Sequence, residues 1–359
     1  VFRSLDPHVA LTLLAGVFGS LTVFLIYSAG RELTGSRLAS AIGAAGLAVS
    51  HSLWWHSTMI EVYTLNGALI ALALFLVFRF FRAGGFVCLV GAFFAAGLGV
   101  FNHVLMALFV PALAALVVYL AVRTPGIRWW KAVVLVFAYA AGAAPYAVLF
   151  LHHYAEVAGG LLPLNVDAIR STFAYATGTG TFGSFLFPTG LAFAQKLFWR
   201  LNYLFLLAWN FASAALGLIA WGLWRFWRMK ERRGCFLFFG LGIAAQIAWS
   251  ANYLIWDMYA FSLPVYVMLG VPLIVGVDAL LASARRRVSI PVLATLAFPV
   301  LLYTGIGWQP DLHALIARYT SFYRETSYVA DLFDPAVYDM NPARPRYREA
   351  ERYCTALMK

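Results

Sequence analysis

His51-Ser52-Leu53-Trp54-Trp55-His56-Ser57-Thr58-Met59-Ile60-Glu61-Val62-Tyr63-Thr64-Leu65-Asn66 lies between two apolar runs, Leu38 to Ser50 and Gly67 to Phe78. Each run is long enough to lie mostly in lipid. The stretch therefore gathers two histidines, a tryptophan pair, a carboxylate and an amide where two membrane helices meet water. Trp54 and Trp55 suit that depth, because indole rings prefer the headgroup level. Glu61 is harder to explain by burial, since an ionised carboxylate near hydrocarbon is costly unless it is paired or wetted. Thr58-Met59-Ile60-Glu61 also fits a capping box, in which threonine and glutamate satisfy the free N–H groups that start a helix. Spacing alone does not choose between a cap and a site.

Outward from this stretch the chain stays apolar. It is 63% hydrophobic and 11% charged over 359 residues, with a mean hydropathy of +0.80. A soluble core cannot absorb that much apolar surface, so an all-α, polytopic transmembrane helix bundle is expected. Apolar spans read at about 8–29, 38–55, 62–81, 86–101, 104–122, 130–152, 197–224, 235–254, 258–282 and 288–308, about ten helices. Asp6-Pro7 reads as a helix start, with aspartate as N-cap and proline in the first turn. The membrane part is expected over 1–308, with one long outer loop at 153–196 in which Asn165 to Ala176 could lie as a surface helix. Residues 309–359 read as the start of an extramembrane segment, and both termini read as cut.

Numbering the loops alternately sorts the charges. Fifteen of the 26 basic residues, from Arg31 and Arg37 through Arg225, Arg228, Lys230, Arg232 and Arg233 to Arg285–Arg287, fall in one set of short loops. The opposite set holds Arg3, Arg170, Lys196 and Arg200 before the tail. By the positive-inside rule the first set is cytoplasmic. All seven histidines lie at outer helix ends, outer loops or the tail, as do Glu61, Glu156, Asp167 and Asp257. Any chemistry is expected on the periplasmic or lumenal face, in a multi-pass protein of a bacterial inner membrane. The charge is a topology signal and not a nucleic-acid stripe, so no nucleic-acid partner is expected. Cys88, Cys235 and Cys354 show no pairing or ligand spacing, and no metal knuckle, Walker loop or Ser-His-Asp pattern is present.

Four outer clusters are candidates to line one cavity: His51 to Asn66; Phe101-Asn102-His103; Asn252 to Tyr259; and the 153–196 loop. Glu61 and Asp257 suit cation binding or acid–base work, and His56 and His103 suit phosphate contact or proton transfer. Asn102-His103 equally suits a tight turn, Asp257 a helix cap, and Trp256 and Tyr259 an aromatic belt.

Ser52-Leu53-Trp54-Trp55 through Ile60-Glu61-Val62-Tyr63-Thr64-Leu65-Asn66 resembles the hallmark of the domain-of-unknown-function 2723 family, polytopic proteins also classed as glycosyltransferase family 117. Gly97 to His103, Phe173 to Gly178 and Asn252 to Pro264 are similar to further family stretches in the same order. The resemblance implies a GT-C type membrane glycosyltransferase with a protein O-mannosyltransferase relative. It implies transfer from a polyprenyl-phosphate sugar to a protein or glycan acceptor, protein O-glycosylation being one such chemistry. The lipid-phosphate sugar would be substrate, with no certain cofactor and room for a divalent metal. It implies an inverting reaction in which a carboxylate deprotonates the acceptor hydroxyl and lipid phosphate leaves. The family's acidic first-loop segment would precede residue 1, so the catalytic residue stays unassigned. His56, His103 and Arg200 are then expected at the leaving phosphate. Glu61, Tyr63, Asn66, Asn102, Asp257 and Tyr259 are expected around the sugar or acceptor. A transporter or flippase would call for midplane charges or broken helices in paired halves. A noncatalytic scaffold of an envelope complex is the other alternative.

Overall fold

A computed structural model of the protein describes residues 7–123, 129–178, 186, 188, 190–254, 258–283 and 286–306. These residues form helices α1 (Pro7–Thr34), α2 (Arg37–Ala48), α3 (His51–Ser57), α4 (Tyr63–Ala83), α5 (Phe86–Asn102), a 3-10 turn at Val104–Phe109, α6 (Val110–Arg123) and α7 (Trp129–Ala158). Then follow α8 (Val166–Ala176), α9 (Phe193–Asn210), α10 (Ala215–Arg228), α11 (Arg233–Ser250), α12 (Met258–Phe261), α13 (Leu263–Ser283), α14 (Arg286–Ala294) and α15 (Phe298–Ile306). Six helices are long and apolar enough to cross a membrane, one bent pair passes together, and three shorter apolar helices accompany them. The bundle is all-α, as composition requires.

The core is built around α13. Every residue from Leu263 to Val277 is buried, which fits a helix apolar on all sides until Asp278. Small residues let its neighbours close in. A Cβ on Gly30 of α1 or Gly43 of α2 would run into Ile274, and one on Gly222 of α10 into the Pro272 carbonyl. Reciprocally, a Cβ on Gly276 would strike the Leu218 carbonyl. The α5–α7 pair uses the same device at Gly97 and Gly142, each facing backbone of the other helix. Without a hydrophobic driving force between helices in lipid, such backbone-close packing is a main source of association.

Two segments depart from the expected spans. Residues 38–55 are not one helix: α2 stops at Ala48, and Ser50 takes an extended conformation (φ −67°, ψ 142°) before α3 begins. The apolar run at 197–224 is also broken, with α9 and α10 meeting at 98°. Both breaks involve Asn210, the last residue of α9. Its Oδ1 accepts the Ser52 N–H at 2.8 Å, satisfying one of the free donors at the start of α3. Sequence-distant partners thus fix a break that local composition does not announce.

The two ends of the bundle differ. At one end Glu32 accepts from Arg79 (3.3 Å) and Arg82 (3.5 Å), Arg82 also donates to the Arg31 carbonyl at 2.7 Å, and Arg232 donates to the Phe81 carbonyl. This is the basic end. His51, His56, His103, His152 and His153 occupy the other, with α8. There α8 forms where expected: Asn165 caps it by accepting from the N–H groups of Asp167 and Ala168. It docks on α7 through Tyr146 OH to the Ala176 carbonyl (2.8 Å), Asn165 N–H to Tyr154 OH (2.8 Å), and stacking of His153 on Tyr175. Leu186 returns to form an isolated antiparallel bridge with Tyr253.

Candidate functional site

The His51–Asn66 stretch folds as a short helix, a turn and the start of α4, and α5, α9, α12 and α15 converge on it. The capping-box reading of Thr58 and Glu61 does not hold. Thr58 ends α3 instead, donating its hydroxyl to the Trp55 carbonyl at 2.9 Å, and α4 starts at Tyr63, its N-cap Val62 offering no side-chain cap. Glu61 lies in the turn between the two helices and is exposed. The helix starts too late for Glu61 to sit in its first turn, so that explanation of the carboxylate falls away.

Around the turn, rings form a continuous chain of contacts. His103 lies 5.4 Å from Tyr63, Tyr63 4.9 Å from His56, and His56 stacks on Tyr259 at 5.9 Å. Trp55 meets Tyr259 edge-on at 5.1 Å, and Phe261 closes over Tyr63 and His103. On the far side His51 sits 6.3 Å from Tyr259 and 5.3 Å from Tyr303, whose hydroxyl donates to the Trp209 and Asn210 carbonyls.

The cluster has two layers. Tyr63, Asn102, His103 and Tyr259 are partly exposed and Glu61 is exposed, whereas His51, Trp55, His56 and Asn66 are buried. Asn66, one turn into α4, has neither amide atom hydrogen-bonded within the described residues, and the neighbouring Thr64 hydroxyl is likewise unpartnered there. Leaving such groups buried without partners costs about 1–3 kcal/mol each. Both groups lie in the first turn of α4, within three residues of Tyr63.

His103 ends α5 and its Nδ1 accepts the Leu105 N–H at 3.2 Å. Burial lowers its pKa from 6.5 to about 4. With Nδ1 occupied as an acceptor, the ring is neutral at pH 7 and its Nε2–H is the donor it can offer. Asn102 serves the scaffold: its amide donates to the Val62 carbonyl at 3.0 Å, tying the end of α5 to the start of α4. Arg200, on α9, donates to Asn252 Oδ1. Asp257 lies outside the described residues, as do Trp256, the Thr179–Thr181 part of the long loop and the tail from 309 onward. Among the described residues no three His, Cys, Asp or Glu side chains gather in a way that could hold a metal ion.

Sequence reasoning singled out His56, Tyr63, Asn66, Asn102, His103 and Tyr259, and the fold brings these to one place. It passed over His51 as a contact and missed Trp209, Asn210, Phe261 and Tyr303. Asn210 carried a signal, being an amide inside an otherwise apolar run. Tyr303 and Phe261 carried none that distinguishes them from packing aromatics.

A polytopic helical bundle with a ring-and-imidazole cluster at one membrane end is the class that fold and site define. Within it, residues 6–126, about a third of the chain, match the family model described as Protein O-mannosyl-transferase TMEM260 N-terminal domain. No curated protein and no solved structure matches the chain. The similarity covers the first third of the chain, from the start of α1 to just past the end of α6.

Proposed function

We propose that the protein transfers a sugar from a polyprenyl-phosphate donor to a hydroxyl acceptor, protein serine or threonine among them, at the histidine end of the bundle. One observation carries this reading: the segment similar to the O-mannosyltransferase domain, 6–126, is the one that supplies His51, Trp55, His56, Tyr63 and His103 to the ring cluster. In such a transfer the acceptor oxygen attacks the anomeric carbon as the bond to the lipid phosphate breaks, and negative charge grows on the departing phosphate oxygen. Donors already aimed at that oxygen lower the barrier. His103 Nε2–H and the hydroxyls of Tyr63 and Tyr259 are the partly exposed donors, so they are assigned to the phosphate. The buried His56 holds Tyr63 and Tyr259 in place. Glu61, at the rim, orients the acceptor or sugar hydroxyls, and Asp257, next to the Tyr259 helix, is assigned the same task. The reacting face is the periplasmic or lumenal one, opposite the basic loops.

The test is transfer of radiolabelled mannose from polyprenyl-phosphate mannose to a serine- and threonine-rich peptide by the membrane-embedded protein. Wild type is expected to label the peptide. Glu61→Gln is expected to lower transfer by roughly 100-fold, the scale of a lost positioning contact, with its thermal unfolding unchanged. Full activity in Glu61→Gln removes that residue from the site. Labelling no greater than in membranes without the protein, across donor sugars, refutes the reading itself.

A further inference from the structure

A second feature lies at the opposite, basic end and is independent of the transferase reading. A pocket of about 600 Å³ opens between the end of α6, the last turn of α10 and the first turns of α11. Its rim carries Arg228, Lys230 and Arg233, and its walls are Tyr119, Phe236, Leu237, Gly240 and Leu241. Arg228 is held by two indoles, its guanidinium carbon 5.5 Å from the Trp224 ring and 5.3 Å from the Trp227 ring. Indole and guanidinium stacked in this way suit the headgroup level of a bilayer. From Arg233 to Gly240 the helix rises roughly 10 Å, so the pocket runs from a cationic mouth into a purely apolar floor. Gly240 keeps that floor open: a Cβ there would meet the Phe236 ring at 3.6 Å, ordinary contact, and a larger side chain would extend into the groove. Glu231 is the only carboxylate in the Lys230–Arg232 turn, against three cations on the pocket rim.

Polar at one end and apolar along its length, with a net positive mouth, this shape complements one amphiphile. We propose that the pocket binds an anionic phospholipid of the leaflet at the basic end, its phosphate held by Arg228, Lys230 and Arg233 and an acyl chain laid along Phe236, Leu237, Gly240 and Leu241. Anionic lipids are concentrated on the cytoplasmic leaflet, and each basic residue near that surface adds to their attraction.

Native mass spectrometry of the full chain in detergent, titrated with phosphatidylglycerol or phosphatidylcholine of matched acyl chains, tests this. Wild type is expected to retain one phosphatidylglycerol at least about tenfold more tightly than phosphatidylcholine, three charges giving ample room for that factor. Replacing Arg228, Lys230 and Arg233 together by glutamine should abolish the preference. Gly240→Leu, which alters no charge, should weaken retention of both lipids. The rim residues are exposed, so unfolding temperatures of the variants should stay at the wild-type value. Equal retention of the two lipids by wild type overturns the proposal, as does a preference that survives the triple replacement. Displacement by inorganic phosphate together with an unaffected Gly240→Leu variant overturns it too, since the rim would then hold phosphate alone.

Discussion

At the residue scale, the site is set by which polar groups are wetted, which are buried and which are used. His103 is the sharpest case. Its ordinary pKa of 6.5 falls to about 4 through burial, so between these values the unfolded chain binds a proton that the folded chain refuses. The stability this residue contributes is therefore complete above pH 6.5 and is lost as pH falls towards 4. Thermal unfolding in detergent should show a lower Tm at pH 5 than at pH 7.5, and His103→Gln should flatten that dependence. Equal pH slopes for the two proteins would mean that the ring is already solvated. Asn66 makes the complementary prediction. Its amide is buried without a described partner, so Asn66→Leu removes a desolvation cost of about 1–3 kcal/mol and should raise Tm by several degrees. The same change should depress sugar transfer. A fall in Tm would show that the amide is structurally engaged. Glu61 could not be resolved from sequence because Thr58-Met59-Ile60-Glu61 fits a capping box. Only the position of the helix start, at Tyr63 with Val62 as its N-cap, separates the two readings.

At the scale of elements, the all-α apolar bundle was legible because hydropathy and length report directly on lipid exposure, though among the described residues six helices, or seven with the bent pair, rather than ten are long and apolar enough to cross a membrane. The breaks at 49–50 and 211–214 were not. Hydropathy continues across both, and what ends the helices is Asn210 reaching Ser52 and the Tyr303 hydroxyl reaching the carbonyls of Trp209 and Asn210. These contacts join residues far apart in sequence, so no local window contains them. Helix contacts at glycine were equally silent, since glycine in an apolar helix reads only as a weak helix former. The structure distinguishes two of them on the same helix. Gly222 of α10 lies against the α13 backbone, whereas a Cβ on Gly217 would meet nothing within 4 Å. Gly222→Ala should therefore destabilise by about 1–3 kcal/mol or more, while Gly217→Ala should be neutral or stabilise by up to about 1 kcal/mol. Comparing the two unfolding temperatures checks this, and equal effects would show that α10 does not pack on α13 through Gly222.

At the scale of the whole molecule, the decisive property is which end faces which compartment. Cations that the sequence sorts into one set of loops meet at one end of the bundle, where Arg79 and Arg82 share Glu32, Arg232 reaches the Phe81 carbonyl, and Arg228, Lys230 and Arg233 rim one pocket. His51, His56 and His103 meet at the other, around the turn between α3 and α4. Short loops carrying that many cations resist translocation, so the basic end should remain cytoplasmic and the ring cluster should face outward. Single cysteines in a background lacking Cys88, Cys235 and Cys354 can establish this. Asp167, on α8, has a side chain 94% exposed, and Glu231 stands exposed in the basic turn before α11. With a membrane-impermeant maleimide on intact cells, Asp167→Cys should label at once and Glu231→Cys only after permeabilisation. The reverse pattern would put the rings on the side where the basic loops were expected and would refute outward-facing transfer. The expected pattern would leave the lipid pocket and the sugar site in opposite leaflets. Mutations in one should then leave ligand retention in the other unchanged, because sites sharing no contact and separated by the full bundle add independently.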